Sequence, residues 1–224
     1  ILVIDFGAGT LDLALVSFSA REAEGGTARV VAKRGDALGG KHVDQWLLGD
    51  FSKTMGYDLE TDDRDEDGRL WRQFMLAEAR RVKEALFFQP TSVFQLSPPN
   101  HLRSLCSEGL RSDDPWMEVT REHLLSTLEE NQVYDRLGQC LDEVLEDAAR
   151  ASIGEDDIEE VLMVGGSSLL PGVYPFVEKR FGRDRVRAWQ PFQAVAYGAC
   201  AYASRSYTQS DFIVHDYAIV TFNP

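Results

Sequence analysis

The sequence predicts an α/β domain interrupted by an inserted segment. Three observations carry that prediction. Short apolar runs alternating with turns fill the first thirty or so residues; a second apolar run ends in glycines at Gly165–Gly166; helix-period segments with long apolar stripes lie between the two. The implied order is a three-strand meander, an insertion, a long helix, a strand–turn–helix and a final helix, which is not a simple alternating wound sheet.

The elements follow in chain order. "ILVIDF" (1–6) and "LDLALVSF" (11–18) read as strands joined by a tight glycine turn, and a strand around Ala28–Lys33 completes the meander. "GDALGG" (35–40) reads as a loop before a helix carrying Val43, Trp46, Leu47, Phe51 and Met55 at helical spacing. The acidic stretch 57–68 reads as a solvated loop, and a helix with a basic middle runs from about Leu70 to Phe88. Residues 92–119, broken by Pro98, Pro99 and Pro115, read as strands and loops. Thr120 is placed to N-cap one long helix to about residue 151, with Leu124, Leu128, Leu137, Leu141 and Leu145 as its core stripe. "IEEVLMVGG" is a buried strand entering a glycine turn, Pro171 marks a helix start, and "RVRAW" is a short strand. "PFQAVAYGACAYASR" is a helix of small residues able to pack closely on a sheet.

Composition narrows the function. The 224 residues hold 37 acids against 23 bases, a net charge of −14. Such a field repels nucleic acid and anionic lipid, so neither is expected as a partner. A nucleotide remains admissible, because backbone amides and a metal ion supply local positive charge. Cys106, Cys140 and Cys200 are odd in number and lack metal spacing, which points to reduced thiols and a cytoplasmic protein. No apolar stretch reaches membrane-spanning length. The chain opens inside a strand without an initiator Met, and is expected to be a fragment of a longer protein.

Two turns repeat one design. Asp5-Phe6-Gly7-Ala8-Gly9-Thr10-Leu11-Asp12 sets glycines between strands with carboxylates on both flanks; Gly165, Gly166 and Ser167 lie between a strand and a helix. Glycines let backbone amides approach phosphate oxygens, and a helix N-terminus adds its dipole. Asp5, at a strand end, can hold Mg²⁺ through water or orient an attacking water. A plain hairpin turn and, for Asp12, a polar residue facing water are the simpler readings of the same residues.

Taken together, "DFGAGTLDLAL", "GDALGGKHVD", "VLMVGGSSLLPGV" and "PFQAVAYGACAYA" resemble, in this order, the ATPase domain of the 70-kilodalton heat-shock chaperones (DnaK type), in the actin-like ATPase superfamily. The likeness spans roughly residues 1–204, and the Gly39-Gly40-x-x-x-Asp44 pattern favours the chaperone branch over filament proteins and sugar kinases. It implies a ribonuclease-H-like mixed sheet with helices and an inserted α+β subdomain. The core would be 1–45 and 116–205, the insertion 46–115, and 206–224 a linker or the start of a following domain. It implies the second lobe only, with the cleft completed by a first lobe preceding Ile1. By likeness, Asp5, Thr10 and Asp12 would serve catalysis, with Asp5 and Asp12 near Mg²⁺ through water. Gly7, Ala8, Gly9, Lys83, Gly165, Gly166 and Ser167 would hold ATP or ADP. Client polypeptides and co-chaperones would be partners of the parent protein, and the chain alone is expected not to turn ATP over.

The adenosine side departs from the family pattern. Arg80 stands where a glutamate is expected, with Glu78 nearby, and Phe87 replaces a serine. Leu169 replaces an arginine that covers the base, and Phe192 replaces an acid. Ala8 stands where glycine is usual. These changes leave open a degenerate chaperone-like scaffold with weak or no nucleotide binding.

Other signals carry less. "DFG" lacks the other protein-kinase motifs. Asp63, Asp65, Asp67 and Gly68 mimic an EF-hand start, but Phe74 stands where the bidentate glutamate belongs. His42, His101, His123 and His215 show no metal spacing.

Overall fold

A computed structural model describes residues 1–17, 27–56, 66–97, 116–188, 191–204 and 208–210. The EF-hand-like Asp63 and Asp65, Cys106, His101, Trp189 and most of the stretch read as a linker lie outside them.

The meander is present as β1 (Leu2–Phe6), β2 (Leu11–Ser17) and β3 (Thr27–Asp36), all antiparallel. Its period-2 pattern is the reason it was legible: Leu2, Ile4, Phe6, Leu11, Leu13 and Leu15 all point into the core. β6 (Val161–Val164) pairs in parallel with β1, and β7 (Val186–Arg187) with β6. Thr208–Ser210 (β8), in the stretch read as a linker, pairs in parallel with β3, giving the sheet order β7-β6-β1-β2-β3-β8.

The helices are α1 (Gly40–Thr54), α2 (Glu66–Leu86), α3 (Arg121–Glu130), α4 (Val133–Arg150), α5 (Val173–Phe181) and α6 (Ala194–Ser204). Leu137, Leu141, Val144 and Ala148 of α4 are buried, and α4 packs on β2 and β3. The Arg136 guanidinium clamps Asp36 at 2.6 and 2.7 Å, fixing α4 to the end of β3. That pairing holds the Asp36 carboxyl below its ordinary value. α1 and α2 pack together, and a two-stranded sheet of β4 (Thr91–Gln95) and β5 (Trp116–Thr120) packs on α2 through β4.

Four expectations change. The single helix from Thr120 is two: Thr120 does cap it, accepting from the His123 amide, but Gln132 adopts φ +56° and breaks the helix. Left-handed backbone at a non-glycine residue ends helical propagation. The helix expected at Pro171 begins at Val173, because Gly172 at φ +82° forms its cap. α2 starts at Glu66 and not near Leu70, so the acidic loop's last residues are helical. The small-residue helix α6 does not pack on the sheet: Val195, Tyr197 and Tyr202 are exposed, and none of its residues is buried.

Candidate functional site

Three glycine-bearing segments meet at the carboxyl end of β1. The turn after β1 closes on itself through the Gly7 amide, which donates to the Thr10 carbonyl (2.9 Å). The first amides of α1 then bind that turn: Gly40 donates to the Gly7 carbonyl (3.2 Å) and Lys41 to the Ala8 carbonyl (2.8 Å). From the third segment, the Ser167 hydroxyl also donates to the Gly7 carbonyl (2.8 Å). The amides of Ala8, Gly9, Gly166 and Ser167 are not among the donors that tie the segments together.

Glycine is required here by contact. A Cβ at Gly39 would stand 2.5 Å from the Ala8 carbonyl carbon, and one at Gly40 would stand 2.8 Å from the Ser167 hydroxyl. Gly165 has φ +82°, and its Cβ would press on the Phe6 carbonyl and stand 2.6 Å from Asp5 Oδ1. Gly9 is different. Its φ is not left-handed and no atom lies within 4 Å of a notional Cβ, so neither backbone nor packing asks for glycine there. Open space above an unneeded glycine, beside unspent amides, is what close approach of a ligand requires.

The two flanking aspartates are register partners on β1 and β2, Asp5 opposite Asp12. Burial, and then the charge of Asp12, push the Asp5 carboxyl above its ordinary value. Gly35 on β3 makes room for Asp12, since a Cβ there would stand 2.9 Å from Asp12 Oδ1. Asp12 and Thr10 are exposed. Paired hard carboxylates suit Mg²⁺, which keeps several waters and needs few protein ligands. Among the described residues no group of three or more His, Cys, Asp or Glu could hold a metal.

Beside the turns lies an open pocket of about 350 Å³, lined by Ala8, Lys83, Gly166 and Ser167 together with Gly40, Lys41, Asp44, Arg80, Glu84 and three phenylalanines. Asp5, Thr10 and Asp12 do not line it. Its centre is ionic: buried Lys83 meets buried Asp44 at 2.6 Å and donates to the Gly40 carbonyl (3.1 Å), while Arg80 Nε donates to Asp44 (3.2 Å). Lys41, Arg80 and Lys83 outnumber Asp44 and Glu84, so the pocket is locally positive in a strongly acidic chain. Phe87, Phe88 and Phe192 form its apolar wall.

Glu78 does not line this pocket. It is clamped by Arg81 at 2.7 and 2.8 Å and accepts from the Gln95 amide, so it cannot stand in for the expected glutamate. Leu169 is half-buried and does not line the pocket either. Lys41 and Phe88 were missed as pocket residues, as was the pairing of Asp44 with Lys83. Only the Gly39-Gly40-x-x-x-Asp44 spacing signalled any of this in the sequence.

A family model described as Hsp70 protein matches residues 1–221. The chain is 29% identical over 208 residues to chaperone protein DnaK of Cenarchaeum symbiosum, covering 91% of this chain and 28% of that protein. It is 27% identical over 211 residues to DnaK of Elusimicrobium minutum, covering 91% and 30%. It is 30% identical over 216 residues to the mitochondrial heat shock protein SSC3 of Saccharomyces cerevisiae, covering 91% and 29%. The chain thus spans less than a third of the length of these curated relatives.

Proposed function

Since the chain belongs to the Hsp70 family, with its actin-like ATPase fold, we propose that it is the nucleotide-binding second lobe of a DnaK-like chaperone ATPase. In this reading the phosphates of Mg-ATP or Mg-ADP lie against the glycine segments, in a cleft completed by a first lobe. The observation that carries it is Gly9: an unneeded glycine under open space, beside amides not used in joining the loops. The exposed apolar face of α6 further supports a partner lobe.

The residues divide the work as follows. Amides of Ala8, Gly9, Gly166 and Ser167 donate to phosphate oxygens, and Thr10 offers its hydroxyl at the outer phosphate. Lys83, neutralised by Asp44, orders the pocket floor and adds little net charge. Asp5, whose carboxyl burial and then Asp12 push above its ordinary value, would accept a hydrogen bond from the attacking water as a carboxylate and orient it. Asp5 and Asp12 would hold Mg²⁺ through water, and the ion would supply charge neutralisation on the phosphates. Catalysis is then mostly positioning and electrostatics. Hydrolysis in the parent protein would be coupled to lobe closure, to client polypeptides and to co-chaperones. The expected compartment is the cytoplasm, although one relative is named as mitochondrial.

A second reading, a scaffold with little nucleotide binding, is favoured by one observation: Lys83 and Arg80 are already committed to Asp44. Gly9→Ala in the full-length natural protein separates the two. A Cβ there meets nothing, so thermal stability should be unchanged, while Mg-ADP affinity should fall about tenfold as the methyl and phosphate compete for one space. Unchanged affinity would put the phosphates elsewhere.

A further inference from the structure

We infer that the aromatic pocket reads a nucleotide's base by its face and not by its edge, and so accepts purine nucleotides without selecting adenine. This rests on the nucleotide reading above and deepens it. The wall of the pocket is hydrocarbon. Phe192 lies over Gly166, its ring 2.9 Å from where a Cβ would stand, and is 68% exposed. Phe87 is partly buried against the core and meets Phe88 edge-on, with centroids 6.2 Å apart; Phe88 is 74% exposed. None of the three rings can donate or accept a hydrogen bond to a base.

The buried polar side chains of the same pocket are committed, and Arg80, half-exposed, keeps only its Nη donors. Lys83 serves Asp44 and the Gly40 carbonyl, Arg80 Nε serves Asp44, and the Ser167 hydroxyl serves the Gly7 carbonyl. Lys41 and Glu84 are exposed and long-stemmed. The two amino groups sit at different ring positions, C6 in adenine and C2 in guanine, but an exposed, rotatable Glu84 can follow either and so fixes neither. Stacking on aromatic rings is offered by every base, and strength follows ring area. A site that pairs a substrate's own donors rejects an analogue by about 10⁴-fold or more, whereas an apolar pocket discriminates by about 10²-fold or less.

The test is calorimetric titration of the full-length natural protein with ADP, GDP and UDP in Mg²⁺, repeated with Phe192→Ala. ADP and GDP should bind within about tenfold of one another, with UDP weaker for its smaller ring. Phe192→Ala should weaken ADP and GDP alike, by about tenfold, and leave inorganic pyrophosphate binding unchanged. GDP more than a hundredfold weaker than ADP, or no effect of Phe192→Ala on either, would overturn the inference while leaving the nucleotide reading intact. No nucleotide binding at millimolar concentration in the folded protein would remove both.

Discussion

Gly165→Ala is expected to cost about 3–5 kcal/mol and to lower the melting temperature by roughly 6–20 °C, on the order of 2–4 °C per kcal/mol for a domain of this size. Two effects add. At φ +82° and ψ 145° the residue occupies backbone space open essentially to glycine alone, a penalty of about 1–3 kcal/mol for any other residue. The new Cβ would also press on the Phe6 carbonyl and stand 2.6 Å from Asp5 Oδ1, so β1 and β6 could not keep their register at the site. Gly182 supplies the control. It has φ +85° and ψ 145° with nothing within 4 Å of a notional Cβ, so Gly182→Ala should show the backbone penalty only. Thermal denaturation followed by circular dichroism reads both. If Gly165→Ala proves no worse than Gly182→Ala, the close seating of the third glycine segment on β1 is wrong.

Asp44→Ala should be comparably damaging, by about 3–5 kcal/mol, because it strands Lys83 as an unpaired buried cation. Lys83 is only 5% exposed and Asp44 3%, so water cannot take the lost partner's place. The same carboxylate also holds Arg80. Replacing both buried charges, Asp44→Leu with Lys83→Met, should recover most of the loss, since buried ion pairs exchanged for packed apolar side chains are often near neutral. Chemical denaturation of the wild type, Asp44→Leu, Lys83→Met and the double variant gives the coupling between the sites. Single variants costing under about 1 kcal/mol would mean that the pair is hydrated, as surface pairs are.

Much of the fold was legible because its strands alternate. The Leu2-Ile4-Phe6 and Leu11-Leu13-Leu15 sets needed only period 2 to be read, and the glycine turn between them fixed the pairing that sets Asp5 beside Asp12. The break at Gln132 left one trace in the sequence, the nine-residue step from Leu128 to Leu137 that turns the Leu stripe by half a turn, although a glutamine itself carries no mark of left-handed backbone. Small side chains in α6 promised close packing, but composition cannot say whether the partner surface lies among these residues. At the site, the glycines announced themselves while their reasons did not. Gly39 and Gly165 are fixed by contacts with residues far away in sequence, and Gly9 by none. The Asp44–Lys83 pair joins two helices 39 positions apart, a pairing that no local pattern encodes.

The central claim, that these loops hold nucleotide phosphates, is tested most directly by titrating Mg-ADP calorimetrically into the full-length natural protein. Binding with a micromolar dissociation constant, about −8 kcal/mol, is the expected result. No heat at millimolar Mg-ADP, from protein shown to be folded by its near-ultraviolet circular dichroism, would contradict it and leave the glycine loops as architecture alone.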